Sequence, residues 1–296
     1  MSEKFTPLLT STDWNEEWKQ LQAFRRHTDD ASYWDKRSKT FTAKDSPNPY
    51  VQRFLELADI KPGETVFDMG CGTGAISLPL GEQGHKVVAA DFSDGMLDVL
   101  KEELTARNIK TIFPKCMSWE DNWDDFGVRE GMTDIAVASR SIATVDLKDS
   151  LLRLTAIARR RVCITLSTGS SPRIDENLFR DIGIDQVLGH DYLYAFNILV
   201  NEGIKPEISY ISSERKETFD GFDEAYTYYG KMIQKATTEL SDTERNEALA
   251  KLDQWLHEHL IKNPYTDDTD IKGETQRGYC LKKPRVISWA FISWNK

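Results

Sequence analysis

The chain has 296 residues, enough for one α/β core with added elements, and 40% of them are hydrophobic, as in an ordinary folded protein. The net charge of −10 argues against a nucleic-acid partner, since proteins that hold a phosphate backbone usually present a concentrated basic face. No apolar run approaches the roughly 18 residues of a membrane span, and four widely separated cysteines without a CxxC pair indicate reduced thiols in the cytoplasm.

The first 50 residues form a helical, aromatic-rich segment. Trp14, Trp18 and Leu21 share one face of a predicted helix, and we expect the two tryptophans to be core packing. The N-terminus has neither the basic start nor the apolar stretch of a signal peptide, so a cytoplasmic location is expected. Pro47 and Pro49 break this segment. We predict an N-terminal helical lid over residues 1–50 and a core domain over residues 51–296.

Short apolar runs separated by helical stretches begin after residue 60. Their length and turn boundaries are typical of parallel strands buried on both faces, and the alternation predicts a doubly wound sheet. After residue 170 helical patterns dominate. The predicted strands are 65–68, 86–90, 111–113, 134–138, 162–166, 207–212 and 285–294, and the later helices are 174–187, 191–202, 222–236 and 241–261.

The most informative pattern is the glycine-rich turn Asp68-Met69-Gly70-Cys71-Gly72-Thr73-Gly74 after the first predicted strand. Glycines at alternate positions allow a sharp turn and bring the backbone against a ligand, where a Cβ would collide. The next helix begins with unpaired N–H groups aimed at that ligand. A plain tight turn is the simpler alternative. The pattern also satisfies the dinucleotide fingerprint, and Asp91, 23 residues beyond Asp68, suits a ribose in either cofactor class.

Other features favour a cofactor that carries an amino acid over a dinucleotide. The Asp68 carboxylate precedes the glycines, where it would repel a pyrophosphate but attract an ammonium. About 60 residues precede the first strand, whereas dinucleotide domains commonly open near theirs. The chain also ends in a long strand that is able to pair antiparallel in the sheet. An NAD-dependent oxidoreductase stays open as the alternative.

The turn resembles the first motif of class I S-adenosylmethionine-dependent methyltransferases, and Ala90-Asp91-Phe92-Ser93-x-x-Met96-Leu97 resembles their second motif. The resemblance covers about residues 30–170 and the closing strand. It implies a Rossmann-like, mostly parallel sheet in the order 3-2-1-4-5-7-6 with strand 7 antiparallel. It also implies methyl transfer from S-adenosyl-L-methionine, and places helical acceptor-side insertions at about 172–204 and 221–262.

The resemblance assigns the glycines to the methionine part, Asp91 to the ribose, and Phe92 and Met96 to the adenine. Trp119 either covers the base or is a half-buried surface residue, and Cys71 is interpreted as a small packing residue within the turn. The predicted cofactor-binding residues are Asp68, Gly70, Cys71, Gly72, Thr73, Gly74, Asp91, Phe92, Ser93, Met96, Ser118, Trp119, Glu120 and Ser139.

Acceptor binding is predicted in the added parts of the chain. Aromatic residues there build an apolar pocket with polar handles, or they pack between helices, as Tyr194 and Asn197 also do in that interpretation. Arg140 either grips a substrate carboxylate in a bidentate manner or pairs with a nearby acid. The predicted substrate-binding residues are Tyr33, Trp34, Arg37, Phe41, Arg140 and Tyr192.

Catalytic candidates are few, since the sulfonium is already a strong electrophile. His190 and Arg140 are the candidates, although His190-Asp191 is equally a surface residue followed by a helix N-cap. His257 and His259 lie two apart and would point to different faces of a helix, so no metal is predicted. We expect a small-molecule acceptor and no nucleic-acid or membrane partner. A protein or tRNA acceptor is the alternative, and no pattern speaks to the oligomeric state.

Overall fold

The computed structural model describes residues 7–25, 31–38, 48–169, 171, 174–184, 190–236, 241–269 and 275–296. Within these ranges no helix is long and apolar enough to cross a membrane. The chain divides into two compact units. The first comprises Met1–Leu166, Asp191–Ile211 and Ala290–Lys296, and the second comprises Ser167–His190 and Ser212–Trp289.

Helices and strands alternate through the first unit, and a short 3-10 helix spans Trp123–Phe126. The helices are α1 (Leu8–Ser11), α2 (Trp14–Arg25), α3 (Ala31–Ser38), α4 (Pro49–Ala58), α5 (Ser77–Glu82), α6 (Asp94–Ala106), α7 (Leu147–Ile157), α8 (Glu176–Ile182), α9 (Asp191–Asn201), α10 (Phe222–Ala236) and α11 (Asp242–His259). The strands are β1 (Val66–Met69), β2 (Val87–Asp91), β3 (Ile112–Cys116), β4 (Thr133–Ser139), β5 (Ala158–Ser167), β6 (Glu207–Arg215), β7 (Thr218–Phe219), β8 (Leu260–Lys262), β9 (Tyr279–Leu281) and β10 (Arg285–Asn295).

The main sheet has the strand order β3-β2-β1-β4-β5-β10-β6. Strands β1 to β5 pair in parallel. Strand β10 runs antiparallel to β5, because the Lys296 N–H bonds to Arg160 near the start of β5 while the Thr168 hydroxyl, just past its end, bonds to the Ser288 carbonyl. The predicted fold class and strand order are confirmed, with β10 as the seventh strand. All four residues of β1 are buried, which is the expected pattern for a central parallel strand.

The N-terminal helix α2 is packed into the core of the first unit. Trp18 is fully buried, and its indole N–H donates to the Thr144 carbonyl at 2.7 Å. Trp14 packs against the same core. The expectation that these two tryptophans are core residues is confirmed. The lid boundary at residue 50 stays a prediction.

The second unit has its own core of aliphatic and aromatic side chains from α8, α10 and α11. It also contains a small antiparallel sheet in the order β7-β9-β8, which the sequence analysis missed because two- or three-residue strands carry no readable periodicity. The helix predicted over 241–261 was wrong at its end. It stops at His259, and Leu260–Lys262 pairs with β9 instead.

Candidate functional site

The glycine-rich turn leaves the carboxyl end of β1 at the centre of the sheet. Gly70, Gly72 and Gly74 have positive φ values of 74°, 55° and 92°, which residues with a Cβ rarely adopt. The N–H groups of Gly70 and Cys71 both donate to the Ala90 carbonyl, at 2.7 and 2.9 Å. The turn is therefore tied to the end of β2, which carries the second motif.

Space around the turn differs sharply from one glycine to another. A Cβ on Gly70 would overlap the Ser141 side chain, whose hydroxyl donates to the Met69 carbonyl at 2.6 Å. Around Gly72, by contrast, no atom of the described residues other than its chain neighbours lies within 4 Å of the position that a Cβ would take. The turn is closed by protein at Gly70 and open at Gly72, as a ligand cradle requires.

Asp91 joins the two motifs. Its carboxylate accepts the Gly72 N–H at 2.8 Å through one oxygen and the Ser93 N–H at 2.9 Å through the other. Burial raises the pKa of Asp91, and these backbone hydrogen bonds oppose that effect because they stabilise the charged form. The predicted ribose-binding acid therefore lies at the open part of the turn, held by the turn's own backbone.

Asp68 lies at the end of β1 beneath the turn, with 1% of its surface exposed. Its carboxylate accepts the Ser77 hydroxyl at 2.6 Å. Burial raises the pKa of Asp68 to about 7, with the Ser77 hydrogen bond opposing and the Asp91 charge adding to the rise. A carboxyl with this pKa gains or loses a proton near neutral pH when a charged group arrives.

Helix α3 packs against α6 next to Asp91. One Asp35 carboxylate oxygen accepts both the Ser93 hydroxyl at 2.6 Å and the Gly95 N–H at 3.0 Å. The same Ser93 oxygen caps α6 by accepting the Met96 N–H at 3.1 Å. Ser93, predicted as a cofactor contact, is thus a fully buried cap in this structure. Asp35 and Ser77 were missed by the sequence analysis, since no motif marks either one.

The end of β4 approaches the turn from its other side. The Ser139 hydroxyl lies 2.8 Å from the Tyr50 phenol oxygen, and Arg140 follows with its guanidinium over the Tyr50 ring. The Trp119 indole donates to the Ser141 carbonyl at 2.9 Å. The structure therefore brings Ser139, Arg140 and Trp119 together with the turn through Ser141, which the sequence analysis did not single out.

The other predicted cofactor contacts differ in exposure. Phe92 is 37% exposed, whereas Met96 and Thr73 are buried. Burial also raises the pKa of the Cys71 thiol well above its ordinary value, which accords with the packing role expected for it. The Ser118 hydroxyl donates to Glu120 at 2.5 Å.

The predicted acceptor residues fall on two helices. On α3, the Arg37 guanidinium donates to the Tyr33 hydroxyl at 2.7 Å and lies over the rings of Tyr33 and Trp34. Phe41 lies outside the described residues. On α9, Tyr192 contacts Tyr210 edge-on, with ring centroids 6.1 Å apart.

The histidine candidates have mainly structural surroundings. His190 is exposed, and its Nδ1 lies 2.8 Å from the Thr168 carbonyl oxygen. Asp191 is the first residue of α9 and pairs with Arg25 at 2.8 Å. His259 stacks on Trp255. Across the described ranges no group of three or more His, Cys, Asp or Glu side chains is arranged to hold a metal ion.

Sequence comparison places this site in a known family. The family model for the methyltransferase domain matches residues 66–161, which contain both motifs. An uncharacterized protein of Haemophilus influenzae is 34% identical over 226 residues, covering 75% of this chain and 80% of the relative. Nocamycin O-methyltransferase of Saccharothrix syringae is 31% identical over 98 residues, 32% of this chain and 34% of that enzyme.

Structural comparison agrees on the fold. A Bacillus halodurans crystal structure assigned to the methyltransferases superimposes with a TM-score of 0.50 at 11% identity. The match covers 83% of this chain and 98% of that one. At this identity the likeness concerns the fold alone.

Proposed function

The chain belongs to the class I S-adenosylmethionine-dependent methyltransferases, and we propose that it transfers a methyl group from S-adenosyl-L-methionine to a small-molecule acceptor. The observation that carries the proposal is the open cradle at Gly72 beside the Asp91 carboxylate. Only a glycine leaves that backbone free for close contact with a ligand. Asp91 is suited to accept hydrogen bonds from ribose hydroxyls at the same place.

Asp68 supports an aminoacyl cofactor over a dinucleotide. Its buried carboxylate lies at the end of β1, just before the glycines. A pyrophosphate would place negative charge against it, whereas the ammonium of a methionine part would favour its ionised form. Asp68 is therefore assigned to the amino group of the cofactor, directly or through water.

Bound S-adenosylmethionine supplies an electrophilic methyl group on its sulfonium. The chain's own residues then have to orient the acceptor and exclude water from it. Tyr33, Trp34, Arg37 and Tyr192 are the proposed acceptor contacts. His190 and Arg140 stay the candidates for a catalytic role, and a general base is required only for an acceptor that keeps its proton late in the reaction.

The charge distribution supports a small acceptor over RNA. The single tight basic cluster of the sequence, Arg159 to Arg161, is engaged by carboxylates. Arg159 pairs with Asp134 at 2.8 Å and Arg160 with Glu64 at 2.5 Å. Such pairs leave less positive charge for phosphates. The nocamycin enzyme, similar over the cofactor half, is named for a small-molecule product.

Ligand-induced stabilisation tests the choice of cofactor. S-adenosylmethionine or S-adenosylhomocysteine at about 100 times its Kd is expected to stabilise the folded protein by about 2.7 kcal/mol, by mass action. NAD and NADP at the same concentrations serve as controls and are expected to leave the unfolding temperature unchanged. Stabilisation by NAD and none by the methyl donor would overturn the proposal in favour of an oxidoreductase.

The acceptor is to be identified with methyl-labelled S-adenosylmethionine and the purified protein. Separate incubations contain a small-molecule cell extract, total tRNA and total protein. Label is expected in the small-molecule fraction. Label that enters only tRNA or protein would support the alternative acceptor class.

Asp91 is expected to contribute strongly to cofactor affinity. Asp91→Asn keeps the side-chain size but removes the charge that accepts ribose hydroxyls, so S-adenosylhomocysteine binding should weaken by about 1.5–3 kcal/mol. Calorimetric titration measures the change. Asp98→Asn, which removes an exposed carboxylate of α6 paired with Lys101, is the matched control. Equal affinities of the two variants would place the ribose elsewhere.

A further inference from the structure

A buried tyrosine lies where β4 and β5 end. Ser139 and Thr165 are direct neighbours in the parallel register of these strands. The Tyr50 phenol oxygen, from the first turn of α4, lies 2.8 Å from the Ser139 hydroxyl and 2.7 Å from the Thr165 hydroxyl. This network fixes the plane of the Tyr50 ring, because both hydroxyls belong to strands of the central sheet.

Arg140 is mounted on that ring. Its guanidinium carbon lies 4.2 Å from the Tyr50 ring centroid, and its backbone N–H donates to the Thr165 hydroxyl at 3.0 Å. The backbone φ of Arg140 is +59°, in the left-handed region. For a residue with a side chain this conformation costs about 1–3 kcal/mol and persists where neighbouring contacts enforce it, often at functional sites.

The platform leaves Arg140 with its charge and its donors. Burial raises the pKa of the Tyr50 phenol, which therefore stays neutral and does not cancel the positive charge above it. Stacking engages the face of the guanidinium, while its N–H donors lie in the plane and form the fork that matches a carboxylate. The Arg140 side chain is exposed, and the next residue, Ser141, packs against Gly70 of the turn.

We infer that Arg140, positioned by Tyr50, binds a carboxylate beside the glycine-rich turn. This inference rests on the proposed function, since two carboxylates are then available there. One is that of the methionine part of the cofactor, and the other belongs to an acidic acceptor. The chemistry of the site is the same for both, and binding measurements separate them.

The first test compares two ligands that differ in the amino-acid part. S-adenosylhomocysteine carries the carboxylate, and 5′-methylthioadenosine lacks it. If the site holds the cofactor, Arg140→Gln should weaken S-adenosylhomocysteine binding by about 10- to 100-fold and leave 5′-methylthioadenosine binding unchanged. Arg53→Gln, which removes an exposed arginine of α4 paired with Glu56, is the matched control.

Variants of Tyr50 test the platform itself. Tyr50→Phe keeps the ring and removes the phenol, whereas Tyr50→Leu removes the stacking surface. Loss of carboxylate-dependent binding that is larger in Tyr50→Leu than in Tyr50→Phe, with 5′-methylthioadenosine binding retained, supports positioning of Arg140. Arg140→Lys should restore only part of the affinity, since an ammonium lacks the planar fork.

The second test covers the acceptor. A small-molecule cell extract is divided into fractions that bind and do not bind an anion-exchange resin, and each is incubated with methyl-labelled cofactor. If the site holds the acceptor, wild-type protein labels the anionic fraction, and Arg140→Gln labels it at least about tenfold less at unchanged S-adenosylhomocysteine affinity. Arg140→Gln that matches wild type in both tests would overturn the inference. Wild-type protein that binds no S-adenosylhomocysteine would instead refute the proposed function.

Discussion

Gly72→Val is expected to abolish binding of S-adenosylhomocysteine while leaving the protein folded. The valine side chain would occupy the space that is open above Gly72, so it meets little protein but blocks the cradle. We expect affinity to fall by about 100-fold or more, which corresponds to about 2.8 kcal/mol. The positive φ of Gly72 adds a cost of about 1–2 kcal/mol to folding for a residue with a Cβ.

Gly70→Ala is the matched control for this experiment, because it places a smaller side chain two residues away in the same turn. Its Cβ would overlap Ser141, so it should lower the free energy of unfolding by about 2–5 kcal/mol. Gly72→Ala is the milder companion if Gly72→Val does not fold. Calorimetry and thermal unfolding measure both effects. Unchanged affinity in the folded Gly72 variants would mean that the cofactor binds elsewhere.

Asp68→Asn is expected to stabilise the free protein at alkaline pH and to weaken its binding of cofactor. Burial raises the pKa of Asp68 from 3.8 to about 7. Between these values the folded protein holds a proton that the unfolded chain has lost, so stability falls as pH rises. The full interval corresponds to about 4 kcal/mol. The amide of asparagine carries no charge, and it removes this pH dependence.

Unfolding measured at pH 4, 6 and 8 tests the prediction. The difference in free energy of unfolding between Asp68→Asn and wild type should grow in favour of the variant as pH rises, up to about 4 kcal/mol. Asp98→Asn, at an exposed position of α6, serves as control and should show no such trend. A difference that stays constant from pH 4 to pH 8 would contradict the prediction.

Binding of S-adenosylhomocysteine should show the opposite trend. A ligand ammonium favours the ionised form of Asp68, so binding lowers its pKa and releases a proton. Wild-type affinity should therefore rise between pH 6 and pH 8, whereas that of Asp68→Asn should stay flat and lower. Equal pH profiles would show that Asp68 does not face the amino group.

The sequence by itself determined the parts of this protein that depend on neighbours along the chain. Short apolar runs between turn signals predicted the strands of the parallel sheet, because buried parallel strands are apolar on both faces. The spacing of Gly70, Gly72 and Gly74 predicted the turn, since its conformation depends on the absence of Cβ atoms. Asp91 was found by its place at the end of β2.

Only the tertiary structure decided which of these residues face open space and which are used internally. Ser93 and Met96 belong to the second motif, yet both are buried, and the Ser93 hydroxyl is committed to Asp35 of a distant helix. Tyr50 carries no motif, and its role depends on Ser139 and Thr165 through strand register. Such contacts join residues 58 to 115 positions apart. Local patterns do not encode them, because the partners become neighbours only when the sheet assembles.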